Sequence, residues 1–99
     1  MLDLTDTLQG CNTLAEQNRH DEAVLLAHQT IVSNPGHPLE SAFHERISIS
    51  GFYSSDPKFK IYGKESCEII AMNRSLSWGT RNLARQNSTF YAGSISVTL

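Results

Sequence analysis

Residues 14–23 read LAEQNRHDEA, and this stretch decides the fold because it joins two helical patterns through a short polar turn. On its N-terminal side, apolar residues recur every three or four positions, which predicts a helix capped by Thr5 or Asp6 and ending at Asn18. On its C-terminal side, Asp21 is the expected cap of a second helix. One face of that helix carries small and apolar residues: Ala23, Leu26, Ala27, Thr30 and Ile31. The stretch therefore predicts a helical hairpin.

A third helix follows the turn NPGHP at residues 34–38, whose prolines and glycine end the second helix. Pro38 suits the first turn of this helix, which we expect to extend to Phe52 or Tyr53. The segment ISIS at residues 47–50 also alternates as a strand would, but its length and helical context favour a helix. The predicted inward stripe is Leu39, Ala42, Phe43, Arg46, Ile47 or Ile49, and Phe52 or Tyr53.

Two more helices are predicted in the C-terminal half. The fourth spans about residues 62–72, after a loop whose composition is Ser-Ser-Asp-Pro, and the fifth begins at Ser77 or Trp78 and ends at Gly93. Their expected inward residues are Cys67, Ile70 and Ala71 in the fourth helix, and Leu83, Ala84, Asn87, Phe90 and Tyr91 in the fifth. Residues 94–99 are expected to be a frayed tail. Five helices joined by short turns predict an all-α class.

The composition restricts the chain to one domain and argues against some partners. It has 99 residues, of which 39% are hydrophobic and 18% charged. The formal charge of -2 gives no global reason to bind nucleic acid or an anionic membrane, although residues 1–50 are acidic and residues 51–99 are mildly basic. The sequence shows neither a signal-peptide pattern nor an apolar run of roughly 20 residues, so we expect a soluble cytoplasmic protein.

The first hairpin carries a set of residues typical of one repeat family. They are Asn18-Arg19 at the turn, Asp21-Glu22-Ala23 at the start of the second helix, the small Ala27 and Thr30, and the closing Asn34-Pro35. In these features residues 4–37 resemble a tetratricopeptide repeat. The resemblance implies a right-handed stack of helical hairpins that binds protein partners. The first helix departs from the family pattern, with Thr7 and Gly10-Cys11 in place of a large aromatic residue and a Leu-Gly pair, so this hairpin is expected to begin the stack.

The resemblance implies a single domain of two and a half repeats. Its parts are a first hairpin (1–37), a degenerate second hairpin (38–76), an unpaired or capping fifth helix (77–93) and a tail (94–99). In the second hairpin, Gly63 has the role of a turn residue and Cys67 that of a small contact residue, while the loop around Pro57 is too long for the standard repeat. An unfinished unit leaves an apolar face bare. The fifth helix is therefore a solvating cap, or the chain is a piece of something longer.

A second resemblance lies in the C-terminal half. Its residues are Gly51-Phe52-Tyr53, Gly63, Cys67-Glu68, residues 81–87 and Phe90-Tyr91. They look like the helical-repeat segments that accompany glycosyltransferase domains in larger chains. This implies an alternative function, an accessory or truncated N-terminal part of a larger glycosyltransferase, with an adjoining catalytic domain as its partner. The sequence has no Asp-x-Asp pair for a metal and a sugar nucleotide, so no catalytic residue carries over.

The reactive side chains do not predict an enzyme, a cofactor or a metal site. The four histidines lack the spacing of four residues that places two ligands on one helix face. Cys11 and Cys67 are isolated, and we expect small buried thiols rather than a disulfide. Glu40 and His44 lie one helical turn apart and are expected to pair, without a nucleophile that the sequence places beside them.

The first helices of the hairpins predict the binding surface, because they line the concave face in peptide-binding members of the family. The residues expected to converge there are Asn12, His44, Arg81 and Arg85. The two arginines lie one turn apart and are expected to form a cationic patch with Lys58, Lys60 and Lys64. The predicted ligand is an extended peptide with an acidic residue. The alternative interface is the fifth helix around Phe90 and Tyr91, which would also serve self-association.

Overall fold

The computed structural model describes residues 3–96, and in that range the chain folds into five α-helices with no β-strand. The helices are α1 (Thr5–Glu16), α2 (His20–Ser33), α3 (Glu40–Tyr53), α4 (Pro57–Met72) and α5 (Trp78–Ser96). The predicted all-α class is confirmed. The alternating ISIS segment lies inside α3, as its helical context indicated.

Short and longer connections alternate along the chain. Residues 17–19 join α1 to α2 and residues 54–56 join α3 to α4, whereas residues 34–39 and 73–77 form longer connections. Each helix packs mainly against its neighbours in sequence, and α3 also touches both α1 and α5. The architecture is therefore two helical hairpins followed by a fifth helix that lies on α4.

Asn18 turns the chain from α1 into α2 by adopting a left-handed backbone conformation, with φ of 61°. Asparagine tolerates this conformation better than most residues. The Asn18 N–H donates to the Ala15 carbonyl at 3.0 Å. The Arg19 N–H donates to the Leu14 carbonyl at 2.9 Å. These bonds satisfy carbonyls that the end of a helix leaves without a partner.

The fourth helix begins at Pro57, well before the predicted start near Tyr62. The Asp56 side chain accepts a hydrogen bond from the Lys58 N–H at 2.9 Å, and proline occupies the first helical turn. An aspartate cap followed by proline is a strong helix start, which composition alone assigned to a loop. The connection from α3 is therefore as short as the turn of the first hairpin. The predicted long loop around Pro57 is wrong.

Two predicted N-caps are also wrong. At the start of α1 it is Asp3, rather than Thr5 or Asp6, whose carboxylate accepts a hydrogen bond from the Thr5 N–H at 2.9 Å. Asp21 does not cap α2 but lies in its first turn. Its carboxylate accepts a hydrogen bond from the Ser54 hydroxyl, which ties together the turns of the two hairpins.

Two further boundaries differ from the predictions. Pro38 lies just before α3, which begins at Glu40. The fifth helix does not end at Gly93 but continues to Ser96, because glycine lowers helix stability by only about 1 kcal/mol and does not by itself end a helix. The predicted tail is therefore helical over residues 94–96. Residues 97–99 lie outside the described residues.

The main core lies between the first hairpin and α3. Its buried residues are Leu4, Cys11, Val24, Ala27, Phe43 and Ile47. Ala23 and Ala27 have no exposed surface, which agrees with the small contact residues expected in the second helix of the hairpin. Both alanines therefore lie where α2 approaches its neighbours closely.

Replacing Ala27 by phenylalanine is expected to lower the free energy of unfolding by about 1 to 3 kcal/mol, because a large side chain must displace buried neighbours. The same holds for Ala23→Phe. Thermal unfolding followed by circular dichroism measures the change. Unchanged melting of both variants would show that these alanines do not lie at the helix contact.

Candidate functional site

Tyr91 fixes α5 against the second hairpin. Its side chain is fully buried, and its hydroxyl donates a hydrogen bond to the Ser48 carbonyl of α3. The ring lies over Gly63 of α4, where a Cβ atom would fall 2.6 Å from Tyr91 Cζ. Gly51 of α3 faces the same point, and a Cβ there would fall 3.0 Å from Gly63 Cα. Three helices therefore meet at two glycines and one tyrosine.

This arrangement corrects the predicted role of Gly63. The residue does not form a turn but lies inside α4, where it is itself the close-contact residue. Cys67, one turn later, is also fully buried and has the small contact role that was predicted for it. The sequence predicts a turn at Gly63 because glycine destabilises a helix, and the contact with Tyr91 that offsets this cost comes from a residue distant in sequence.

The thiols and the Tyr91 hydroxyl are neutral groups in this core. Burial raises the pKa of Tyr91 above its ordinary value, and burial likewise raises the pKa of Cys67 to about 11. Burial also raises the pKa of Cys11. Both cysteines are free and buried, which confirms that they are small core residues rather than a disulfide. Protonated thiols of this kind are poor nucleophiles.

A groove runs between α3 and α5, with Tyr91 and Ser48 at its base. This α3–α5 groove has a volume of about 220 Å³ and is lined by Ser48, Ile49, Phe52, Tyr53, Asn87, Phe90 and Tyr91. Phe52 meets the Tyr91 ring edge-on, with ring centroids 5.6 Å apart. The groove continues along the same two helices into an extension of about 260 Å³ that reaches Glu45, Thr80 and Leu83.

Leu83 and Phe90 form part of this surface, although the sequence predicted them to point inward. Their exposed fractions are 58% and 64%, whereas their neighbours Ala84 and Tyr91 are buried. Adjacent helix positions differ by about 100° in direction, so a stripe containing two adjacent pairs is too wide for one contact. The apolar stripe of α5 is wider than one helix contact needs, and this width is the feature of the sequence that indicates an exposed apolar surface.

Two of the predicted peptide-binding residues make contacts between helices. The Asn12 side-chain oxygen accepts a hydrogen bond from Arg46 Nε at 2.9 Å, which ties α1 to α3. His44 is buried between α3 and α4, with its Nδ1 atom 2.9 Å from Ser66 Oγ. Asn12 lines a neighbouring pocket together with Glu45 and Ile49, but neither Asn12 nor His44 lines the α3–α5 groove.

The two predicted arginines also lie away from the groove. Arg81 Nε donates to the Ala71 carbonyl at 3.3 Å, near the end of α4, and Arg85 is exposed on α5. The expected cationic patch is dispersed as well, since Lys60 donates to the Phe52 carbonyl and Lys64 pairs with Glu68. The structure thus does not bring the four predicted residues to one surface.

One group of side chains is similar to a hydrolase triad. His44 Nδ1 contacts Ser66 Oγ, and His44 Nε2 lies 3.8 Å from a Glu40 carboxylate oxygen, which agrees with the predicted Glu40–His44 pair. Ser66 is only 3% exposed, and the N–H groups around it are held in the hydrogen bonds of α4. Burial lowers the pKa of His44, which keeps its ring neutral. A substrate has no access to the buried Ser66 hydroxyl, and the His44–Ser66 contact joins α3 to α4.

The described residues 3–96 contain neither a metal-binding cluster nor a membrane-spanning helix. No group of three His, Cys, Asp or Glu side chains in that range is arranged to hold a metal ion. None of the helices there combines the length and the apolar character needed to cross a membrane.

Comparison with known proteins gives no family assignment. The chain matches no protein-family model, and it matches neither a curated protein nor a solved structure.

Proposed function

We propose that the chain is a non-catalytic, tetratricopeptide-like interaction module that takes up a segment of a protein partner in the α3–α5 groove. The observation that carries this proposal is the groove itself, whose walls expose Ile49, Phe52, Tyr53 and Phe90 to solvent. Contiguous exposed apolar side chains in a concave surface favour binding, because a partner removes them from water.

The spacing of the helices supports the repeat interpretation. Asn12 of α1 and Arg46 of α3 are hydrogen-bonded and lie 34 positions apart in the sequence. Ile49 of α3 and Asn87 of α5 line the same groove and lie 38 positions apart. Periods in the thirties are typical of stacked helical hairpins, in which the first helix of each unit lies beside the first helix of the next.

The outward face of α5 supports a capping role for this helix. Beyond the exposed Trp78 at its first position, its exposed positions away from the groove include Arg85, Gln86 and Thr89, which are polar. Polar outer faces are typical of the last helix in a repeat stack, because no further repeat covers them. A partner would then bind along the groove rather than on the end of the stack.

The groove is tested by peptides selected from a random 12-residue phage library against the whole chain. The variant Ile49→Ser/Phe90→Ser is expected to weaken the selected peptides at least about tenfold, or about 1.4 kcal/mol, because it removes apolar side chains from both walls. Fluorescence anisotropy of labelled peptides measures the affinity. Circular dichroism should be unchanged, since both side chains are exposed.

The matched control is Val32→Ser/Met72→Ser, which removes two exposed apolar side chains outside the groove. This variant should bind the same peptides within about twofold, since surface changes outside an interface are nearly neutral. Equal losses in both double variants would contradict a groove-specific interaction, as would a library that yields no binder.

A further inference from the structure

We infer that the segment bound in the α3–α5 groove carries a lysine or arginine next to an apolar side chain, and that Glu45 receives this positive charge. The inference rests on the proposed peptide-binding function and names the chemistry of the partner. It reverses the expectation of an acidic peptide, which depended on Arg81 and Arg85 facing the groove.

Glu45 is placed to receive a charge from the groove. It lies one helical turn before Ile49 on α3 and lines the groove extension together with Leu83 of α5. The side chain is exposed, and among the described residues its carboxylate makes neither an ion pair nor a hydrogen bond. Glu45 also lines the neighbouring pocket between α1 and α3. One free carboxylate therefore stands beside the apolar walls on the concave face.

The cations nearest to Glu45 and to the groove already have hydrogen-bond partners in the chain. Arg46 donates to Asn12 of α1, and it also lines the pocket between α1 and α3 that Glu45 borders. The Lys60 ammonium donates to the Phe52 carbonyl at 2.9 Å and lies 5.7 Å from the centroid of the Phe52 ring, so it is held beside the Phe52 end of the groove, about two helical turns from Glu45. No Lys or Arg side chain is among the described residues that line the groove or its extension. Within the groove extension an acidic ligand residue would face Glu45 with no cation in the lining, whereas a basic residue would complete an ion pair.

Asn87 supplies a second polar contact in the same place. It is half-buried on α5 and lines both the groove and its extension. Its side-chain amide offers two donors and an acceptor, which suit the C=O and N–H groups of a peptide backbone. The apolar walls, the amide and the carboxylate together fit a protein segment in which an apolar side chain and a cation are neighbours.

The test uses peptides that bind wild-type chain and are weakened by Ile49→Ser/Phe90→Ser. These peptides should be enriched in Lys and Arg over Asp and Glu. Glu45→Gln should weaken a representative peptide about fivefold at 50 mM NaCl and less at 300 mM NaCl, because salt screens the pair. Glu65→Gln is the matched control, since Glu65 is exposed on α4 outside the groove, and it should leave the affinity unchanged.

A charge-reversed pair completes the test. Glu45→Lys should bind a peptide whose basic residue is replaced by glutamate better than it binds the original peptide.

Groove-dependent peptides that are acidic, or that respond equally to Glu45→Gln and Glu65→Gln, would overturn this inference and leave the proposed function standing. Peptides whose affinity is unchanged by Ile49→Ser/Phe90→Ser would overturn both the inference and the proposed function. Dimerisation seen by sedimentation and abolished by that double variant would assign the groove to a second copy of the chain and overturn the inference.

Discussion

Replacing Tyr91 by alanine is expected to lower the free energy of unfolding by about 3 to 5 kcal/mol. The fully buried ring packs against Gly51 of α3 and Gly63 of α4, and its loss leaves a cavity that two glycines cannot fill. The Ser48 carbonyl also loses its side-chain donor. For a domain of this size, such a loss is a large part of the total stability.

Urea unfolding followed by circular dichroism measures this change. Phe90→Ala is the matched control, because it removes the adjacent aromatic ring, which is exposed. Phe90→Ala should lower the free energy of unfolding by less than about 1 kcal/mol. Equal effects of the two substitutions would contradict the assignment of Tyr91 as the anchor of α5.

Replacing Gly63 by alanine is expected to lower the free energy of unfolding by about 2 to 4 kcal/mol, although alanine is the better helix former. The added Cβ would overlap the Tyr91 ring, so the ring must leave its site, and the gain in helix propensity of about 1 kcal/mol offsets only part of that loss. In a Tyr91→Ala background the obstacle is gone, and the same substitution should become neutral or stabilising. The change of sign is measured as a double-mutant cycle in urea.

Gly10→Ala provides the control for helix propensity. Gly10 lies inside α1, and a Cβ there would meet nothing within 4 Å. This substitution should raise the free energy of unfolding by up to about 1 kcal/mol. A Gly63→Ala variant as stable as Gly10→Ala would contradict the close contact with Tyr91.

Local patterns were sufficient to predict most of the fold. The spacing of Ala23 and Ala27 predicted the buried face of α2, and both are fully buried. The start of α4 was misplaced because Asp56-Pro57 has the composition of a loop, whereas its geometry is that of a cap. Boundary signals of this kind depend on a few backbone angles, which periodicity does not report.

The candidate site was less predictable because it depends on contacts between distant helices. Helical spacing places Arg81 and Arg85 on one side of α5, but only the position of Tyr91 in the core decides which side faces α3. Similarly, His44 was expected on the concave face, and its partner Ser66 lies on a different helix. No local pattern in the sequence relates these pairs.

The orientation of α5 is the central claim, because the position of Tyr91 between Gly51 and Gly63 determines which α5 side chains face the groove. Nuclear Overhauser effects in the labelled chain test it most directly. Strong cross-peaks are predicted between the Tyr91 ring protons and the Gly63 Hα protons, since the ring lies within van der Waals distance of that glycine. Cross-peaks from Gly63 to the Phe90 ring instead, with none to Tyr91, would show that α5 is rotated and would contradict the groove.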